Sequence, residues 1–275
     1  MIEIDDPADP RLGDYTALTD VDLRRGLEAE RGVFIVEGLL AIESLLRSPY
    51  AVRSVLTNHR AHARLSGALA TIDAPVYVVD DDVMRGTVGF DLHRGAVASA
   101  HRPADLDPEP LLATGNRLLV LEGVNDHENI GGIFRNAAAF GVDAVLLDPT
   151  GADPLYRRSV RVSLGHVLHV PFTRLPNWPG SITRLGAAGW STVALTPSGE
   201  VDIGDFAPNA PARIALLLGA EGAGLRDATI DAADHRVRIT LAPGVDSLNV
   251  ATAAAVALHA LRGRPDGARR HNSAG

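Results

Sequence analysis

The sequence predicts an α/β protein in two parts. Over the first hundred residues, short β-rich runs alternate with segments of helical periodicity. Beyond residue 116 the apolar runs become nearly continuous and are again separated by helical stretches. Alternation of this kind favours strand–helix–strand units, and strands that are apolar throughout belong to a parallel sheet covered on both faces. A chain of 275 residues, 46% hydrophobic and 22% charged, has the length for two ordinary domains and the composition of a folded soluble protein.

In chain order, residues 10–30 mix Arg, Asp and Glu around sparse apolar residues and read as a surface helix. Residues 33–36 (Val-Phe-Ile-Val) form a strand that stops at Glu37-Gly38. Leu39, Leu40, Ile42, Leu45 and Leu46 then recur at helical spacing until Ser48-Pro49. Further strands fall at 52–56, 75–79 and 95–98, with a polar His/Arg helix after the first of them. These make a small N-terminal α/β domain over 1–103. The polar, proline-containing stretch 104–115 reads as a linker. Strands at 118–121, 144–147, 167–170, 192–195, 214–218 and 236–240, with helices between most of them, make a second domain over 116–262. Its last helix, 248–261, is alanine-rich. The Gly-, Pro- and Arg-containing tail 263–275 is expected to be disordered.

There is no cysteine, which excludes disulfides, thiolate chemistry and Cys-based zinc sites. No apolar run approaches 18 residues, and the N-terminus is acidic where a secretory signal is basic and then apolar. The expectation is a cytoplasmic protein with no membrane partner. The net charge of −8 argues against indiscriminate nucleic-acid binding. Every permanent side-chain cation is an arginine, a planar fork suited to bidentate phosphate contact. A localised Arg surface predicts a shallow salt dependence for any nucleic-acid affinity.

Three segments stand out, each a strand end followed by a glycine-containing turn. The first is Asn125-Asp126-His127-Glu128-Asn129-Ile130-Gly131-Gly132-Ile133-Phe134-Arg135. If a helix begins near Ile130, Asn129 caps it and Arg135 lies about a turn and a half in, near the strand ends where ligands of open parallel sheets bind. The paired glycines permit close backbone approach, to a ligand or to another helix. The second, Leu218-Gly219-Ala220-Glu221-Gly222-Ala223-Gly224-Leu225, follows a buried strand. It lacks the Gly-x-Gly-x-x-Gly spacing of a dinucleotide fold, which argues against the rival reading of a Rossmann oxidoreductase. Taken alone it is a tight turn with a carboxylate. The third, Ser247-Leu248-Asn249-Val250, opens the alanine-rich helix. Ser247 is its expected cap, and Asn249 then sits beside free backbone N–H groups.

Together the three segments resemble the signature motifs of the SpoU (TrmH-like) branch of the SPOUT RNA 2′-O-ribose methyltransferases. Asn129-x5-Arg135 is similar to motif 1, Leu218-Gly219-x-Glu221-Gly222-x-Gly224-Leu225 to motif 2, and Ser247-Leu248-Asn249-Val250 to motif 3. Ser159 to His166 matches a further family segment. Ala220 stands where many members carry Ser, and 240–246 departs from the commoner Pro-Met version. The resemblance covers about 116–261, and residues 20–100, with Phe34-Ile35-Val36-Glu37-Gly38, also look like the family's substrate-binding domain. It implies an α/β fold: a C-terminal parallel-sheet SPOUT domain with a deep trefoil knot, and an N-terminal ribosomal-protein-L30e-like domain. It also implies a homodimer with active sites at its interface.

By the same resemblance, Thr196, Leu218, Gly219, Ala220, Glu221, Gly222, Ile239, Leu241, Ser247, Leu248 and Asn249 hold S-adenosyl-L-methionine. Asn129, Arg135, Glu221, Ser247 and Asn249 form the reacting centre. Relatives are described as using the motif 1 arginine as base. Because a guanidinium does not deprotonate in proteins, Arg135 is expected instead to clamp the target phosphate and stabilise charge on O2′, with Asn129 orienting the guanidinium or the ribose. Tyr156, Arg157, Arg158 and Arg161 form the densest basic cluster and either hold RNA backbone, Tyr156 stacking on a base, or make a solvated helix face. His166 and His169 read as structural, and no metal site is expected. The presence of an N-terminal domain favours ribosomal over transfer RNA. A transfer-RNA methyltransferase, or a non-catalytic RNA-binding factor on the same fold, is the alternative.

Overall fold

The computed structural model describes residues 1–92 and 94–262, so the tail assigned to 263–275 lies outside the described residues. In chain order the strands are β1 (Ile2–Glu3), β2 (Val33–Glu37), β3 (Val52–Asn58), β4 (Val76–Val79), β5 (Ala96–His101), β6 (Arg117–Glu122), β7 (Ala144–Leu147), β8 (Phe172–Arg174), β9 (Ser191–Leu195), β10 (Val201–Asp202), β11 (Ile214–Gly219) and β12 (His235–Arg238). The helices are α1 (Val21–Arg31), α2 (Leu39–Leu46), α3 (His59–Leu69), α4 (Asp81–Val88), α5 (Pro108–Ala113), α6 (His127–Ala139), α7 (Arg157–Val162), α8 (Gly180–Ala187), α9 (Ile203–Phe206), α10 (Asp227–Ala232) and α11 (Val250–Leu261).

The chain divides into two compact units that interleave in sequence. The first holds Met1–Asp105, Asp126–Arg135 and Asp153–Pro171; the second holds Leu106–Asn125, Asn136–Ala152 and the chain from Phe172. Helix α5 occupies half of the stretch read as a linker.

The first unit is built on a five-stranded sheet of order β1-β4-β3-β5-β2. β1, β4 and β3 are parallel, and β5 runs antiparallel to both β3 and β2. Asn58, the last residue of β3, and Asp80, the first beyond β4, cap the next helices, accepting the N–H groups of Ala61 and Val83. Ile35, Leu56, Tyr77, Val79, Val88 and Val97 form its core with Leu12 and Tyr15. Those last two residues correct the surface helix read over 10–30. Pro10–Tyr15 is a separate 3-10 turn whose Leu12 and Tyr15 are fully buried, followed by α1. Arg24, also buried, is held by Glu28 and by the Asp14 carbonyl.

The second unit is a seven-stranded sheet of order β10-β12-β9-β11-β6-β7-β8, parallel at every pairing. The central strands are buried on both faces, as their unbroken apolar runs predict. Leu118, Val120, Leu146, Ala194 and Leu217 pack with Leu185 and Trp190 into one core. One expected strand fails. Residues 166–168 are a 3-10 turn, because Leu164 and Gly165 take left-handed φ values of 54° and 82° that break an extended chain. The strand comes later, at β8 beside β7.

Candidate functional site

The parallel strands of the second unit all end at one edge, where open α/β sheets bind ligands. β11 passes there into a loop that folds back on itself. Ala220 pairs with Gly224 in an isolated bridge, with the Gly224 N–H donating to the Ala220 carbonyl at 2.9 Å. The glycines are required for two reasons. Gly222 and Gly224 sit at φ of 81° and 69°, while a Cβ on Gly219 would lie 2.1 Å from the Gly224 carbonyl carbon and the Leu225 nitrogen. The turn is too tight for any side chain at its entry.

Two further chain segments meet this loop. Thr196, just past β9, is buried, and its N–H donates to the Val237 carbonyl of β12 at 2.9 Å. Beyond β12 the chain runs irregularly to α11. It is tied down at Thr240, whose N–H donates to Asp202 Oδ2 at 3.0 Å. Hydrogen bonds from Thr240 and then from the Gly204 N–H hold the Asp202 carboxyl below its ordinary range.

At the start of α11 the structure corrects the expected cap. Asn249, not Ser247, is the N-cap: its Oδ1 accepts the N–H groups of Ala251 and Thr252 at 3.0 and 3.2 Å. Its Nδ2 donates to Glu221 Oε1 at 2.6 Å, joining motif 3 to motif 2. Between these segments lies a cleft of about 760 Å³. Thr196, Leu218, Gly219, Ala220, Glu221, Gly222, Ile239, Leu241, Ser247, Leu248 and Asn249, all named from sequence, line it. Val250, from the third motif, lines it too, as do Leu195, Pro197, Arg238, Val245 and Ala253, which no motif singled out.

Asn129 and Arg135 lie in the first unit, on the opening turns of α6. Here too the cap is shifted. Asp126 Oδ1 accepts the N–H groups of Glu128 and Asn129, so the helix starts at His127 and Asn129 is a buried residue of its first turn. The glycine at 131 serves helix packing. A Cβ there would meet Val162 Cβ at 2.7 Å and the Ser159 carbonyl at 2.8 Å, both on α7. Arg135 is exposed and makes neither an ion pair nor a hydrogen bond among the described residues.

The arginines of α7 are engaged with acids. Arg157 pairs with Glu37 and donates to the Leu18 carbonyl, Arg161 reaches Glu37 Oε1 at 2.9 Å, and Arg158 pairs with Glu128. Arg157 is 18% exposed, against 53% and 48% for Arg158 and Arg161. Tyr156 stands against the ring of His127, with centroids 4.2 Å apart. Burial, with smaller contributions from His169 and Arg135, holds the His166 imidazole below its usual pKa. His169 bonds Ser44 through Nε2. Among the described residues no group of three His, Asp or Glu is placed to hold a metal, and no helix is long and apolar enough to cross a membrane.

The model of the SpoU rRNA methylase family matches residues 116–259. The chain belongs to that family. A tRNA/rRNA methyltransferase of Mycobacterium tuberculosis, itself named as uncharacterised, is 44% identical over 262 residues, covering 94% of this chain and 90% of the relative. The 23S rRNA (guanosine(2553)-2'-O)-methyltransferase RlmP of Bacillus subtilis is 29% identical over 84% of this chain and 88% of its own. Among solved structures, the SpoU methyltransferase AviRb of Streptomyces viridochromogenes, in complex with AdoMet, superposes with a TM-score of 0.78. It is 25% identical, over 92% of this chain and 97% of that one. An AdoMet-bound rRNA methyltransferase of Sinorhizobium meliloti gives 0.77 at 25% identity, over 94% and 97%. SpoU membership accounts for the three motifs occurring in one chain, and for the parallel sheet that carries them.

Proposed function

We propose that this SpoU protein transfers the methyl group of S-adenosyl-L-methionine to a ribose 2′-hydroxyl of ribosomal RNA. The observation that carries the reading is the 2.6 Å bond between Glu221 and Asn249, which closes motifs 2 and 3 around one cleft at the sheet edge. The named activities of relatives such as RlmP supply the acceptor.

The cleft suits the cofactor. Its volume of about 760 Å³ falls in the ordinary range for small-molecule sites. Leu195, Leu218, Leu241, Leu248 and Val250 give an apolar wall for a flat base, and the glycine loop presents backbone groups. Glu221 supplies negative charge for a cationic ligand. Bound there, S-adenosyl-L-methionine provides an electrophilic methyl carbon. The chain's residues then hold the acceptor. Arg135, an exposed guanidinium with no carboxylate partner among the described residues, clamps the phosphate of the target nucleotide and favours negative charge developing on O2′. The hydroxyl proton leaves to that phosphate or to water, and Asn129 orients the ribose. Of the α7 arginines, the half-exposed Arg158 and Arg161 are available to RNA backbone, whereas Arg157 is mostly buried; Tyr156 stacks on a base.

The same reading gives a homodimer working in the cytoplasm, a C-terminal segment threaded through a trefoil knot, and a ribosomal-protein-L30e-like substrate domain over 1–103. The family resemblance supports the dimer, the knot and the substrate domain. The test is transfer of labelled methyl from S-adenosyl-L-methionine to total RNA, followed by mapping of ribose methylations lost on gene deletion. Label in a 2′-O-methylated ribosomal nucleotide is the expected result. Label confined to transfer RNA, or no transfer by folded protein, would overturn it.

A further inference from the structure

β6 ends in a carboxylate that sequence reasoning passed over. Glu122 is 2% exposed, yet its two oxygens take four donors. Oε1 accepts Trp178 Nε1 at 2.5 Å, Thr229 Oγ1 at 2.8 Å and Arg226 Nε at 2.5 Å. Oε2 accepts the backbone N–H of Arg226 at 2.9 Å. A carboxylate this deep is tolerated only when its lone pairs are filled by donors and a cation, so the arrangement is strongly specified.

What it specifies is the glycine loop. Gly219, where the loop leaves β11, is the ladder partner of Glu122 on β6. Arg226, where the loop returns, is held by the same residue's side chain through backbone and guanidinium together. One residue therefore fixes both ends of the turn that carries Glu221. A second buried carboxylate, Asp148, stands 3.9 Å from the Arg226 guanidinium through Oδ2, which also accepts the Thr150 hydroxyl. Its Oδ1 has no hydrogen-bond partner among the described residues. Arg226 remains 60% exposed, a clasp laid over the edge and pinned from beneath.

We propose that Glu122 and Arg226 are positioning residues of the cofactor cleft: their pairing sets the seat of the glycine loop from which Glu221 reaches Asn249. This rests on the reading of that cleft as the S-adenosyl-L-methionine site. Neither residue lines the cleft, so each acts through the loop. A glycine loop that is not held in its seat loses contacts to the ligand, and the loss of one hydrogen bond to a charged group is enough to lower affinity about ten- to a hundredfold.

The test compares the full-length wild type with Glu122→Gln, Glu122→Asp, Arg226→Ala and Arg226→Lys. Arg226→Ala alters a mostly exposed side chain and so keeps the proposal testable should Glu122→Gln fail to fold. Calorimetry with S-adenosyl-L-methionine should show Kd raised about ten- to a hundredfold in Arg226→Ala and Glu122→Gln. The turnover rate at saturating cofactor should change little, and Arg226→Lys should recover part of the affinity. The double variant should be no worse than the weaker single, since both break one contact. Hydrogen exchange without cofactor should show faster opening of the amides of residues 220–226 in both variants, with β6 and β7 still protected. Folded variants with wild-type exchange in that loop would overturn the proposal, as would wild-type Kd in the presence of altered exchange. If wild type itself binds no S-adenosyl-L-methionine, the reading of the cleft fails; the loop exchange then decides the positioning claim alone.

Discussion

The Asn249 side chain caps α11 with its oxygen and holds Glu221 with its nitrogen, 2.6 Å away. Replacement by Asp and by Ala separates the two duties. Asn249→Asp keeps a good cap but sets two carboxylates face to face. Its unfolding midpoint should stay near wild type while affinity for S-adenosyl-L-methionine falls about tenfold or more. Asn249→Ala loses both, with about 1 kcal/mol of stability gone as well. Undiminished affinity in the Asp variant would show that the contact with Glu221 has no part in binding.

Gly219 and Gly222 should respond differently to alanine. At Gly219 the added methyl would sit 2.1 Å from backbone atoms of Gly224 and Leu225, so the loop has to open and cofactor binding should be abolished. At Gly222 nothing lies within 4 Å, and only the left-handed φ is penalised, at about 1 kcal/mol. Gly222→Ala should therefore fold and retain measurable binding. Equal loss at both positions would contradict the geometry.

Arg135→Lys preserves charge but removes the fork. With cofactor affinity unchanged, RNA-dependent turnover should fall about a hundredfold if the guanidinium acts bidentately on phosphate. Near-wild-type turnover in single-turnover assays would leave Arg135 as a point charge only.

Glu37 neutralises two of the α7 arginines. Glu37→Gln should free Arg161 for phosphate, raising RNA affinity at low salt and steepening the dependence of log affinity on log salt by about one unit. Thermal unfolding should drop by about 1–3 kcal/mol, because Arg157 keeps a mostly buried charge without its partner. An unchanged salt slope would place these arginines outside the RNA contact.

Acid stability has a definite sign in the second unit. Asp234 accepts the N–H and the hydroxyl of Thr192 at 2.8 Å each, and those bonds, the backbone one first, lower its pKa. Asp202 is lowered in the same direction by Thr240 and Gly204. A carboxyl lowered in the folded state stabilises above its ordinary value of about 4. That contribution is lost as pH falls through the folded value. Unfolding followed from neutral to strongly acidic pH should show this loss only below about 4, and Asp202→Asn with Asp234→Asn should flatten it.

Much of the molecule was legible in the chain because the signals were local and periodic. Apolar runs such as 118–121 and 214–218 announce buried parallel strands wherever they stand. The cleft residues were reached through motif resemblance, since no periodicity reports that Thr196, Glu221 and Asn249 meet. Caps were misplaced by two or three residues, at Asp126 and Asn249, because Asp, Asn and Ser compete for the same role and tertiary partners choose between them. The turn at 166–168 was lost because its decisive feature, a non-glycine residue at φ 54°, leaves no trace in composition. Glu122 was overlooked for a related reason: a single charge after an apolar run looks like a strand end, and only its distant donors, Trp178, Arg226 and Thr229, reveal it as a hub.

The pairing of β6 with β11 also bears on how the protein is made. β11 docks beside β6 from about a hundred positions further along, Ile214 lying opposite Arg117. At a synthesis rate of about 5–20 residues per second, the nascent chain carries β6 for roughly 5–20 seconds with one hydrogen-bonding edge bare. During that interval the strand is a template for unwanted pairing, and a helper that shields extended segments at the ribosome would raise the yield of folded protein more than one acting after release.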